Sequence, residues 1–139
     1  MDDYKQKIKQ HNLRDTQPRR SVFMALVNSD TPLSIRELTE KCSQVNRTTI
    51  YRALETLVEI DLVQIVPIGW KQKYTVASNI APEKYFVHCS HCGRDMPVES
   101  PELRHAVEGI SRQTNFTINV CAFTLSDICN HCNQNSPAK

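Results

Sequence analysis

Two Cys-x-x-Cys pairs, Cys89/Cys92 and Cys129/Cys132, are the residues of this 139-residue chain best suited to chemistry. A two-residue gap lets both sulfurs of a pair reach one ion at about 2.3 Å, and four thiolates suit tetrahedral Zn²⁺. Such a shell has no open position for water or substrate, so it fastens segments together and activates nothing. The alternatives are two disulfides or unrelated buried cysteines. All six cysteines fall from position 42 onward and four have metal spacing, which points to a reducing compartment.

Other chemistries leave no trace. The sequence contains no Gly-rich phosphate loop, no nucleophile elbow and no His-Glu-x-x-His run, so catalysis is not expected. The opening residues, Met1-Asp2-Asp3-Tyr4-Lys5, lack the apolar core of a signal peptide. No stretch approaches the roughly 18 apolar residues of a membrane span, and a cytoplasmic location without membrane contact is expected. The formal net charge is only +2, but it is unevenly placed. Residues 1–80 carry 12 Lys/Arg against 9 Asp/Glu, or +3, while residues 81–139 carry 5 against 6, or −1. That bias is a weak pointer to nucleic acid.

The elements that must position these residues begin with helices. Tyr4–His11 reads as a short polar helix, and Thr16-Gln17-Pro18 opens a second, whose Val22, Phe23, Leu26 and Val27 form one stripe. Ser34-Ile35-Arg36-Glu37 is a capping box for a third helix, with Ile35, Leu38 and Cys42 inward. Asn46 caps a fourth, Arg47–Ile60, whose apolar Ile50, Ala53, Leu54, Leu57 and Val58 leave Arg47, Thr48, Tyr51, Arg52 and Glu55 on the other face. The period then becomes two: Leu62–Val66 and Trp70–Val76 form a hairpin with Lys71 and Lys73 on one face. Three helices and a hairpin make a winged helix-turn-helix over residues 1–77. Residues 78–84 read as a hinge. Residues 85–139 form a small α/β unit: strands at Tyr85–His88 and near Met96–Val98, a Ser100-capped helix to about Gln113, and an alternating strand Phe116–Leu125 before the second Cys pair.

This order of parts resembles the ferric uptake regulator (Fur) family of bacterial metal- and peroxide-responsive repressors. The resemblance rests on Leu13–Arg19, on Thr48–Leu54 with Leu57 after it, and on Cys89-Ser90-His91-Cys92-Gly93, and it covers nearly the whole chain. It implies an α+β homodimer with one structural Zn²⁺ per chain, binding double-stranded DNA at an inverted-repeat, AT-rich operator. The fourth helix would enter the major groove, with Tyr51 on bases and Arg52 on phosphate; Arg14, Arg19 and Arg20 would meet backbone or minor groove. The side chains suit those roles, since a Tyr ring packs on a thymine methyl and Arg forks onto phosphate or guanine. Thr49, Arg47 and Lys71 complete the expected DNA-binding set. For Tyr51 the alternative is packing on a neighbour, and for Arg20 or Lys73 a solvated charge.

The departures from the family are systematic. Fur-like proteins carry a His-rich run before the first Cys pair that supplies ligands for a sensed metal. Here it reads Pro82-Glu83-Lys84-Tyr85-Phe86-Val87-His88, and Phe86 stands where the resemblance expects a histidine. Thr75 replaces an acidic ligand, Thr31-Pro32 an early His pair, Cys121 a late His, and Asp127 a glycine. Three readings follow: a regulator without a metal signal; a rebuilt site drawing on His88, His91, His105, Cys121, Asp127 and His131; or a thiol switch at Cys121 or Cys42. A zinc-stabilised protein-interaction module is the rival from another class.

Overall fold

A computed structural model of the chain describes residues 1–68, 71–77, 79–80, 84–118 and 122–135. It has the expected α+β class, divided into two compact units, Met1–Pro82 and Glu83–Lys139. The N-terminal unit begins with α1 (Asp2–Gln10), α2 (Gln17–Val27), α3 (Ile35–Lys41) and α4 (Arg47–Glu59). The caps form as the sequence dictates. The Ser34 hydroxyl accepts from the Glu37 backbone N–H at 3.2 Å while the Glu37 carboxylate accepts from the Ser34 N–H at 2.7 Å, closing the capping box. Asn46 Oδ1 accepts from the Thr49 N–H at 2.8 Å. The turns after α1, α4 and α5 place Asn12, Asp61 and Asn115 at φ 52°, 54° and 57°. These are residue types that enter the left-handed region at least cost after glycine.

The hairpin β1 (Val63–Ile68) and β2 (Lys71–Val76) is the wing. A third segment joins it, because Leu33 and Tyr74 exchange two backbone hydrogen bonds of 2.8 Å each. β2 is thereby flanked on both edges, and Lys73, Tyr74, Thr75 and Val76 are all buried. The expectation of Lys73 as a solvated or DNA-facing charge is corrected: it is 9% exposed and its Nζ pairs with Glu37 at 3.8 Å. A buried ammonium needs such a partner. The core of this unit gathers Tyr4, Val22, Phe23, Leu26, Leu38, Ile50, Leu54 and Leu57, with Cys42 inside it as expected. Ala77, the last residue of the expected winged-helix unit, is buried, and Ile80, within the segment read as a hinge, packs against this core; residues 78 and 81–83 lie outside the described set.

The C-terminal unit runs β3 (Lys84–Cys89), β4 (Asp95–Val98), α5 (Pro101–Thr114), β5 (Ala122–Asp127) and α6 (Asn130–Asn135). Its sheet has the order β4-β3-β5, with β3 antiparallel to β4 and parallel to β5. Pro97 sits in the edge strand β4, where a missing N–H is tolerated. Two expectations are corrected. Phe116–Ile118 are not in a strand, and β5 runs two residues beyond Leu125. The second Cys pair straddles the start of the six-residue helix α6, which was not foreseen.

Candidate metal centre and nucleic-acid interface

The parallel register of β3 and β5 assembles the cysteines. It pairs Cys89 with Asp127, so the first Cys pair, at the end of β3, meets the second, just past the end of β5. The turn after Cys89 is closed by Cys89 N–H to Arg94 O at 2.9 Å and Gly93 N–H to Cys89 O at 2.8 Å. Gly93 takes φ 75°, and a Cβ there would meet nothing within 4 Å, so backbone conformation alone favours glycine.

The four cysteine sulfurs lie within 4.8 Å of one another, with Cys92 Sγ and Cys129 Sγ at 4.0 Å. A tetrahedron with bonds of about 2.3 Å has edges of about 3.8 Å, so the group has the size a single zinc requires. Cys89 Sγ accepts backbone N–H bonds from Cys129 at 3.3 Å and Cys92 at 3.5 Å. These donors draw its thiol down to about 5. Burial and the three neighbouring sulfurs push Cys132 up to about 12. Four sulfurs this close cannot all carry negative charge without a cation among them, and a dication removes that conflict. All four positions of such a shell are protein sulfur, which leaves none for substrate.

Among the described residues no second group of three His, Cys, Asp or Glu side chains could hold an ion. His88 Nδ1 is bonded to Asp95 Oδ1 at 2.6 Å across the β3–β4 pairing. His91, His105 and His131 are exposed, and Asp127 Oδ1 accepts from the Ile128 N–H at 2.9 Å. Phe86 is 1% exposed and Thr75 is 2% exposed, both consumed by packing in their own units. Cys121 lies outside the described residues.

The second candidate surface is the outer face of α4. Ile50, Ala53, Leu54 and Leu57 are buried on one side, which leaves Arg47, Thr48, Tyr51, Arg52 and Glu55 exposed on the other. Arg47 holds its guanidinium 5.8 Å from the Tyr51 ring centroid, a cation–π contact that stiffens both side chains. Thr49 is half-buried, its backbone N–H bound by the Asn46 cap.

The arginines before and within α2 are more constrained. Arg19 donates to the Arg14 carbonyl, and its Nε is buried without a hydrogen-bond partner among the described residues. Arg20 is paired with Asp15, which also accepts from the buried Tyr4 hydroxyl at 3.0 Å. Arg14 and Lys71 are exposed. The Tyr4–Asp15–Arg20 chain and the Lys73–Glu37 and His88–Asp95 pairs were not foreseen; each joins residues whose proximity depends on how elements pack or pair.

Fold and site together define a winged-helix protein carrying a cysteine-walled metal position. Known proteins agree. The family model described as "Ferric uptake regulator family" matches residues 10–126, and the chain belongs to that family. Its members are transcription regulators rather than enzymes. The ferric uptake regulation protein of Bacillus subtilis strain 168 is 29% identical over 121 residues, covering 81% of this chain and 80% of that protein. The structure of the Helicobacter pylori ferric uptake regulator, described as having three functional metal-binding sites, aligns with a TM-score of 0.76 at 20% identity over 99% of this chain and 93% of that one. A zinc uptake regulator complexed with zinc and DNA aligns at 0.53 with 20% identity, covering 96% and 92%. At these identities the two structures establish the fold.

Proposed function

We propose that this protein is a cytoplasmic, homodimeric, sequence-specific DNA-binding repressor that holds one structural zinc per chain in Cys89, Cys92, Cys129 and Cys132 and lacks the family's usual regulatory metal site. Residues 1–77 bind DNA and residues 85–139 dimerise. The observation that carries the reading is the outward face of α4, where Arg47, Tyr51 and Arg52 stand exposed opposite a fully buried stripe. That is the arrangement a helix needs to enter a major groove while its other side stays fixed to the protein. A zinc uptake regulator of the same fold has been captured with zinc and DNA, which supports carrying both ligands over.

In this reading Tyr51 reads base edges, Arg52 and Arg47 bind phosphate or guanine, and the Thr49 hydroxyl, Arg14, Arg19 and Lys71 add contacts to the backbone. Zinc, when bound, crosslinks the ends of β3 and β5 and does nothing else. Support for the dimer comes from β5, an edge strand, and from a C-terminal unit with Val87, Met96, Ile110, Leu125 and Ile128 exposed. Apolar surface of that extent calls for a partner. Two copies would then place two α4 helices on an inverted repeat, AT-rich by family resemblance. The simpler reading is supported by the described residues themselves, among which no second group of three ligating side chains comes together around His88 or elsewhere.

The test is a gel-shift titration on operator duplexes with Tyr51→Ala and Arg52→Ala. Loss of a base contact costs about 1–3 kcal/mol and relaxes specificity; loss of a phosphate contact weakens binding to every sequence and lowers the salt slope by about one. Unchanged isotherms for both variants would show that α4 is not the reading helix. No shift for the parent protein on any duplex would favour an interaction module instead.

A further inference from the structure

The reading face of α4 ends in an acid. Arg47, Tyr51 and Glu55 stand four residues apart within α4 and are all exposed, so they form one stripe facing away from the core. Arg47 is engaged by the Tyr51 ring, whereas Glu55 makes no ion pair among the described residues. It lines a shallow groove with Tyr51, Ile65 and Tyr74, between α4 and the wing. The apolar walls of such a groove strengthen any charged hydrogen bond formed in it.

A free carboxylate on a face that approaches DNA is repelled by each phosphate it nears. Only two groups in the major groove offset that repulsion, the amino donors of cytosine N4 and adenine N6. They are not equivalent. Adenine presents its N7 acceptor beside N6, which repels the second oxygen of a carboxylate and suits an amide. Cytosine presents N4 without an adjacent acceptor of its own, which suits a group whose atoms only accept.

We propose that Glu55 is a specificity-determining residue that accepts a hydrogen bond from a cytosine amino group in the operator. The proposal rests on α4 being the reading helix. Four residues at 1.5 Å each separate Glu55 from Tyr51 by about 6 Å along the axis, or roughly two base steps. The cytosine should therefore lie about two positions from the base that Tyr51 touches. Glu59, a further turn along, is also exposed, so the acidic half of this face begins at Glu55 while the basic and hydroxyl groups precede it.

The experiment is selection of bound duplexes from a randomised pool with the zinc-loaded full chain and its Tyr51→Ala, Glu55→Gln and Glu55→Ala variants. The parent protein should enrich cytosine at one position per half-site, about two steps from the position that Tyr51→Ala relaxes. Glu55→Gln should replace that cytosine by adenine, with about a tenfold reversal in relative affinity, and Glu55→Ala should leave the position degenerate. Equal tightening on all sequences by both Glu55 variants, with base preferences unchanged, would overturn the proposal and leave Glu55 as a charge that only repels phosphate. A motif altered by Tyr51→Ala but not by Glu55→Gln defeats Glu55 alone. A motif untouched by Tyr51→Ala, or no enriched motif at all, defeats the reading of α4 and the proposal together.

Discussion

The two units of this chain are stabilised in different ways. The N-terminal unit buries a continuous cluster from four helices and the wing, including Tyr4, Phe23, Leu26, Leu38, Ile50, Leu54 and Leu57. In the C-terminal unit the described residues that are buried come down to Tyr85, Phe86, Cys89 and Cys132, and α5 buries none of its 14 residues. Two of those four are cysteines of the metal group. Where the described core is this small, a bound metal or a partner adds order that packing among those residues does not supply. The lesson is that one family fold can join a unit with its own continuous core to a unit that, on the proposed reading, takes its order from metal and partner, and the two should then fail separately.

The largest expected break lies in the metal group. Cys89→Ser or Cys132→Ser should unfold or monomerise the C-terminal unit, because structural zinc contributes on the order of 10 kcal/mol to folding small sites. Amide exchange in α2 and α4 should stay protected while β3 and β5 lose protection. Cys42→Ser, inside the other core, should leave the zinc content unchanged. A zinc-free, well-ordered dimer from the Cys89 variant would end this half of the comparison.

Phe23→Ala should do the reverse. The ring is 2% exposed and stacks on Tyr4 at 5.1 Å between centroids, so its removal should cost about 3–5 kcal/mol in the N-terminal unit. Denaturant melts followed in each unit check this: zinc retention should be that of the parent protein. Coupled loss of both units would show that they share one cooperative core.

A smaller effect sharpens the picture of how α1 is held. Tyr4→Phe keeps the stack but deletes the bond to Asp15, at a cost of about 1 kcal/mol near neutral pH. Burial first, and the Asp15 bond second, push the Tyr4 hydroxyl from 10.0 up to about 12. Its folded value is raised above the unfolded one. The stabilisation it brings is therefore complete below pH 10 and lost as pH rises from 10 toward 12. Melts of the parent should weaken over that window, and those of the Phe variant should weaken less. Identical alkaline slopes would contradict the assignment.

The N-terminal unit was largely legible in the sequence, because each helix carries its own periodicity and its own cap. Ser34 with Glu37, and Asn46 before Arg47, fixed helix starts that the structure reproduces. Local alternation misplaced Lys73, since a period of two cannot show that Leu33 and Glu37 close over β2 from elsewhere in the chain. In the C-terminal unit the cysteine spacing announced the metal group but not its frame. Alternation over Phe116–Leu125 set no register; β5 is fixed by pairing with β3, down to Cys89 opposite Asp127. The helix α6 is polar and six residues long, with no stripe to betray it. His88 and Asp95 meet only because the intervening turn brings β4 back beside β3.

The central claim is that metal builds the C-terminal unit and does not signal to the reading unit. The most direct test is to measure operator affinity while Fe²⁺, Mn²⁺ or Zn²⁺ is added to protein already holding one zinc per chain. A ligand shifts DNA binding only through a difference in its own affinity for the two states. With Phe86 and Thr75 buried where the family resemblance expects ligands, the isotherms should superimpose. A rise of tenfold or more, about 1.4 kcal/mol of coupling, that disappears on mutation of His88 or Cys121 would establish a rebuilt sensor and contradict the account.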